Sequence, residues 1–146
     1  LFSFIIEHTE GALPSLMAYE SSSPHSLDHV VINTNDADSF IDIYKDAFGI
    51  RLALDKTIEH WKKRMLFFRL SKTTIEVIEE QNDQETADTL WGLAWNVASI
   101  EETHKRLLGE GVDITPIKNG IKDKTLVATI NSHTHNVPTL LIEYLD

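Results

Sequence analysis

One stretch and its echo limit what this chain can fold into. Leu27-Asp28-His29-Val30-Val31-Ile32-Asn33-Thr34 reads as a buried strand with a histidine near its start, and Asp36 follows at once as a helix cap. Further on, Leu90-Trp91-Gly92-Leu93-Ala94-Trp95-Asn96-Val97 repeats the layout, with Gly92 where His29 stood and Ser99 as the next cap. After the first cap, Phe40, Tyr44 and Phe48 recur at helical spacing and Gly49 supplies a stop. Three strands then follow at Arg51–Asp55, Arg64–Leu70 and Thr73–Glu80, the last two joined by a tight Ser71-Lys72 connection. After the second cap, Ser99 and Glu102 spell a capping box and the helix ends at Gly109 or Gly111. Strands are expected again at Val112–Ile117, Leu126–Ile130 and Thr139–Leu145. The chain is therefore two βαβββ units in tandem, and this duplication is its most informative property.

Superposing the units places His29 on Gly92, Asn33 on Asn96, and the cap Asp36 on the cap Ser99. At the far end it places Ile75-Glu76-Val77 on Ile142-Glu143-Tyr144. The modules run over 27–81 and 90–146, with the polar, acidic stretch Gln81–Thr89 between them. Residues 1–26 stand outside the pair. Leu1–His8 is a strand by propensity, and its Phe4-Ile5-Ile6-Glu7-His8 echoes Leu140–Tyr144. Gly11–Ser26, with two Pro and several Ser, has linker chemistry. The N-terminal strand is expected either to be the tail of an upstream module, or to lie against the sheet or a second subunit; the opening Leu points to residues before it.

Charge removes several function classes. A formal net charge of −10 argues against non-specific binding to nucleic acid or an anionic membrane, which requires a basic face. The densest basic run, Lys62-Lys63-Arg64, is expected as a solvated turn between strands. With no cysteine, there is no disulfide, thiolate nucleophile or thiolate-bound zinc. No apolar run is long enough to span a bilayer and no leader is visible, so a cytoplasmic address is expected.

A carboxylate inside an apolar strand is expensive to bury unless it is paired or bound to a cation. Glu76 lies between Ile75 and Val77, and Glu143 between Ile142 and Tyr144. Strand alternation alone would place either on a solvated face. Two of them at matching positions, with His29 at the head of a strand, point instead to a shared polar pocket. One nitrogen and two carboxylates suit a hard or borderline divalent cation. Other candidates carry less. His133-Thr134-His135 sits among turn residues, His104 is expected to face solvent from its helix, and Trp61, Trp91 and Trp95 fit either a pocket wall or plain core. No nucleophile elbow, H-E-x-x-H, P-loop or dinucleotide fingerprint is present.

The two βαβββ units, the Leu-Asp-His-Val-Val opening and the late Ile-Glu of each unit resemble the vicinal oxygen chelate superfamily. That group spans glyoxalase I, extradiol dioxygenases, methylmalonyl-CoA epimerase and the bleomycin- and fosfomycin-resistance proteins. The likeness covers Leu27 to Asp146, and the stretches Leu90–Trp95 and Val137–Glu143 resemble its glyoxalase-like bacterial members. It implies an α+β fold whose paired modules form a half-open curved mixed sheet, helices outside, around a metal held from the first and last strands of each unit. The implied ligands are His29, Glu76 and Glu143, for Zn, Ni, Co, Mn, Fe or Mg, with Glu76 or Glu143 moving a proton. Gly92 falls on the remaining ligand position and has no side chain to offer. Two readings follow. One is a metal-dependent isomerase or lyase acting on a vicinally oxygenated small molecule. The other is a metal-free binding module, of the bleomycin-resistance type, that sequesters its ligand. Either is compatible with a homodimer.

Overall fold

The computed structural model describes residues 6–7, 9–11, 20–80 and 88–145. Most of the expected strand Leu1–His8, residues 12–19 of the first linker and 81–87 of the second therefore lie outside the described residues. Eight strands form one mixed sheet, ordered β2-β3-β4-β1-β5-β8-β7-β6. The first module contributes β1 (Pro24–Thr34), β2 (Arg51–Ile58), β3 (Lys63–Leu70) and β4 (Thr73–Glu80). The second contributes β5 (Thr89–Val97), β6 (Lys118–Asn119), β7 (Thr125–Ile130) and β8 (Thr139–Tyr144). In each module the first strand runs parallel to the last, β1 with β4 and β5 with β8. The modules join where β1 and β5 pair antiparallel. The tandem βαβββ order and the open α+β sheet are as the sequence implied.

Each helix begins where its cap dictates. Asp36 accepts from the Ser39 N–H, starting α1 (Ala37–Phe40), which continues as a π-helical segment, Ile41–Ala47. In that wider coil Phe48 N–H donates to Ile43 O, five residues back, at 3.0 Å. Phe40 and Tyr44 are buried with ring centroids 5.7 Å apart, whereas Phe48 is 45% exposed. The aromatic stripe thus leaves the core in its last member, because the wider turn no longer brings every fourth residue back to one side. Gly49 ends the helix at φ +68. α2 (Ile100–Gly109) starts from Ser99, whose hydroxyl accepts from Glu102 N–H at 3.2 Å. The reciprocal half of the box is not made: Ser99 N–H donates to Ser21 O, and the Glu102 carboxylate accepts from the Ser21 hydroxyl. Gly111, at φ +77, completes the exit turn.

Each helix covers one core. Ile32, Ala37, Phe40, Tyr44, Leu66, Phe68 and Val77 form the first, and Val97, Ile100, Ile114, Ala128 and Leu141 the second. Both lie on the same side of the sheet, and among the described residues no helix covers the opposite face. Among the described residues no helix is long and apolar enough to cross a membrane.

Further expectations change: Pro24–Ser26, expected as linker, open β1. Val112–Ile117 is not a regular strand: only Ile114 bridges to Ile130, and regular pairing is confined to Lys118–Asn119 against β7. Pro116 has no N–H for a ladder, and Asp113 N–H donates to the Ser132 hydroxyl instead. The basic run is not a solvated turn throughout. Lys62 takes the left-handed turn position at φ 52, but Lys63 Nζ donates to Glu80 at 2.7 Å, and Arg64 grips both oxygens of Asp55 and reaches Asp38.

Candidate functional site

The open face is built by strand alternation. Register sets His29 beside Thr74 and Val31 beside Glu76 on the parallel pair β1–β4. His29, Val31 and Asn33 therefore share a face with Thr74, Glu76 and Ile78, while Ile32 and Val77 point into the helix-covered core. Two of the expected site residues, His29 and Glu76, are brought onto one face of adjacent strands.

A bulge in β1 decides how His29 is held. Pairing with β5 slips between Leu27 and His29, leaving Asp28 as an extra residue, so successive side chains reach the same region. His29 Nδ1 lies 2.7 Å from Asp28 Oδ2. The other oxygen, Asp28 Oδ1, accepts from the Tyr144 hydroxyl at 2.8 Å, across the module boundary. Lys122 Nζ in turn donates to Tyr144 Oη at 3.0 Å and sits 4.3 Å from the centre of that ring. Burial works to raise the pKa of Asp28, but the hydrogen bonds from His29 and Tyr144 and the charge of His29 outweigh it. The carboxyl is held below its ordinary range. An ionised carboxylate only accepts, so His29 donates through Nδ1–H.

Glu76 is in the opposite condition. Desolvation pushes its pKa up, only partly offset by the nearby charge of His29, and among the described residues its carboxylate has no hydrogen-bond partner. A half-buried carboxylate in this state gains from any donor or cation a ligand brings.

Glu143 does not lie with them. Its Oε2 accepts the N–H of Ile100, the first residue of α2, at 2.7 Å. Glu79 does the same in the first module, accepting the N–H of Ala37 at 2.9 Å. Matching the modules by these helix starts pairs Glu143 with Glu79, and Glu76 with Leu140, because Val31 and Ala94 are equivalent and register sets Glu76 beside Val31 and Leu140 beside Ala94. The expected match of Glu76 with Glu143 is thus three residues out. An odd shift turns the side chain to the other face.

The family resemblance implies a metal held from the first and last strands of each unit. Its four positions hold His29, Glu76, Gly92 and Leu140, of which two carry donors. A Cβ built on Gly92 would stand 2.8 Å from the carbonyl oxygen of Pro138, so this backbone has no room for a ligand side chain there. Among the described residues no three His, Cys, Asp or Glu side chains stand close enough to hold a metal ion. The residues present do not fit a resident divalent ion.

The remaining candidates disperse. His133 and His135 occupy an exposed turn at φ 62 and 52, as expected. His104 does not face solvent: half-buried, its Nε2 lies 3.1 Å from Thr115 O. Trp95 packs on the second core, and Trp91 is exposed. Trp61 lines a cavity of about 570 Å³ with His60, Lys63, Met65 and Ile78. A second cavity, about 320 Å³, is lined by His25, Asn96, Val97, Ala98 and Tyr144. Asn96 Nδ2 donates to the Ser26 hydroxyl at 3.2 Å, and its buried Oδ1 has no partner. Asp28, Tyr144 and Asn96 were not legible as site residues. Only the adjacency Asp28-His29 hints at the first.

Comparison with known proteins places this geometry in context. Residues 26–132 match the family model described as Glyoxalase/Bleomycin resistance protein/Dioxygenase superfamily. A methylmalonyl-CoA epimerase from Mycobacterium tuberculosis has a similar structure, with a TM-score of 0.67 at 20% identity over 89% of this chain and 95% of that one. A hypothetical protein from Bacillus halodurans C-125 gives 0.64 at 17% identity over 83% and 95%. A Streptomyces coelicolor methylmalonyl-CoA epimerase variant in complex with 2-nitronate-propionyl-CoA gives 0.63 at 14% identity over 85% and 100%. No curated protein matches.

Proposed function

The chain belongs to the Glyoxalase/Bleomycin resistance protein/Dioxygenase superfamily, and from that premise we propose that it binds a small molecule on the open face of the sheet, against His29 and Glu76, without a divalent ion. One observation carries this reading: of the four positions facing one another across the modules, one is closed by the Pro138 carbonyl over Gly92 and one is the apolar Leu140. His29 and Glu76 remain as a polar pair beside the apolar Val31 and Ile78, and small-molecule sites usually combine apolar walls with a few placed polar groups. Epimerase structures of the same fold are solved in complex with small-molecule ligands, which supports a small-molecule role.

The test is elemental analysis of the purified full chain, paired with binding of a small-molecule library before and after chelator. The expected result is less than stoichiometric metal and binding that chelator leaves unchanged. A metal-dependent isomerase or lyase is the second reading, favoured by the juxtaposition of His29 and Glu76. It would replace the first if one divalent ion per chain were found and His29→Ala released it.

A further inference from the structure

We propose that Asp28, itself held by Tyr144, fixes the His29 ring so that Nε2 is its free lone-pair nitrogen, and that the ligand meets Nε2 and Glu76 with a hydrogen-bond-donating group, a hydroxyl or an amine. The inference deepens the metal-free reading above and rests on it.

Three observations converge. First, the Asp28 carboxylate is fully engaged: Oδ1 accepts from Tyr144 and Oδ2 faces His29 Nδ1 at 2.7 Å. A carboxylate cannot donate, so the ring proton of neutral His29 resides on Nδ1 and Nε2 is an acceptor. Second, Glu76, within electrostatic reach of His29, is an acceptor with no donor among the described residues. Third, several donors near this pair are already engaged within the protein. The Tyr144 O–H goes to Asp28, the Lys122 ammonium to Tyr144, and Asn96 Nδ2 to Ser26. Among the described residues the one buried side-chain atom without a partner, Asn96 Oδ1, is likewise an acceptor. An occupant that donates satisfies these acceptors, whereas one that only accepts sets acceptor against acceptor in a half-buried site, which is costly.

Asp28 and Tyr144 act here as positioning residues. They touch His29, directly or through one another, and reach from β1 to β8, so the state of the ring depends on both modules being docked.

Nitrogen-detected NMR of the full chain at mildly alkaline pH tests the inference without a known ligand. The expected signature in the presence of chelator is Nδ1 protonated and Nε2 bearing the lone pair. Asp28→Asn offers an amide N–H to Nδ1 and should move the ring proton to Nε2, while Tyr144→Phe should leave a mixture. Ethylene glycol, ethanolamine and acetate then serve as probes. The His29 Nε2 signal should shift saturably with ethylene glycol or ethanolamine, about tenfold less tightly in Asp28→Asn, the loss of one good hydrogen bond. A response to ethylene glycol alone identifies a hydroxyl ligand, and to ethanolamine alone an amine. A ring protonated at Nε2 in the unaltered chain, a shift with acetate, or no shift with either donor overturns the inference. A bound ion would instead show as a chelator-dependent change in the His29 signals before any probe is added, which is failure of the metal-free reading.

Discussion

Glu143→Ala separates two roles for one carboxylate. Glu143 Oε2 accepts the Ile100 N–H at 2.7 Å, and Ile100 is fully buried, so water cannot replace the lost acceptor. Removing the partner of a buried donor costs about 1–3 kcal/mol, and losing a helix cap about 0.5–2 kcal/mol. Because these describe the same N–H, the expected loss is about 2 kcal/mol and not their sum. For a chain of 146 residues that lowers the melting temperature by roughly 5–10 °C. Glu143→Gln keeps an oxygen for the Ile100 N–H and loses only the interaction of a charge with the helix N-terminus, about 0.3–1 kcal/mol. Thermal and denaturant unfolding of the two variants, beside Glu79→Ala in the other module, give the comparison. Glu79→Ala should resemble Glu143→Ala, because Glu79 makes the same bond to Ala37. None of the three should alter ligand binding beyond what their stability explains. If Glu143→Ala melted like the unaltered chain while ligand binding or metal content collapsed, Glu143 would belong to the open face and the assignment here would be refuted.

Two further outcomes follow from the open face. Gly92→Ala forces a Cβ to within 2.8 Å of the Pro138 carbonyl, a backbone atom that is itself bonded to Leu93 N–H at 2.9 Å. It should lose about 1–3 kcal/mol, typical of overpacking, in denaturant unfolding; an unchanged midpoint would show that the β8 start yields freely. Glu76→Gln should behave oppositely. Desolvation raises the Glu76 pKa in the folded state, so its ionisation opposes folding: the folded state is favoured below the unfolded carboxyl range and loses stability as pH rises through the folded value. The neutral isostere should therefore be the more stable form at neutral pH, with the difference vanishing at acidic pH. A stability curve in which Glu76→Gln is weaker at neutral pH would mean that the carboxylate has a partner.

Much of this fold was legible because local chemistry and tertiary demand agree. Asp36, Gly49, Ser99 and Gly111 start and stop the helices where caps and left-handed glycines require, and the Thr73–Glu80 strand has its expected bounds. Val112–Ile117 misled because its β-branched residues carry strand propensity around a proline that cannot complete a ladder. The aromatic stripe misled at Phe48 because helical periodicity does not reveal a π-helical coil.

The sequence by itself determined the duplication, the order of its elements, and the placing of His29 and Glu76 on strands of one module. Those follow from periodicities of two and about four residues, which act over short distances. Tertiary structure alone decided which glutamate was which. Ile75-Glu76-Val77 and Ile142-Glu143-Tyr144 look alike at period two, yet the helix starts set them three residues apart in register, and an odd offset places one carboxylate on the open face and the other under a helix. It also decided the state of His29, through Tyr144, which stands 116 residues from Asp28 in the chain and meets it only because β5 brings the modules together.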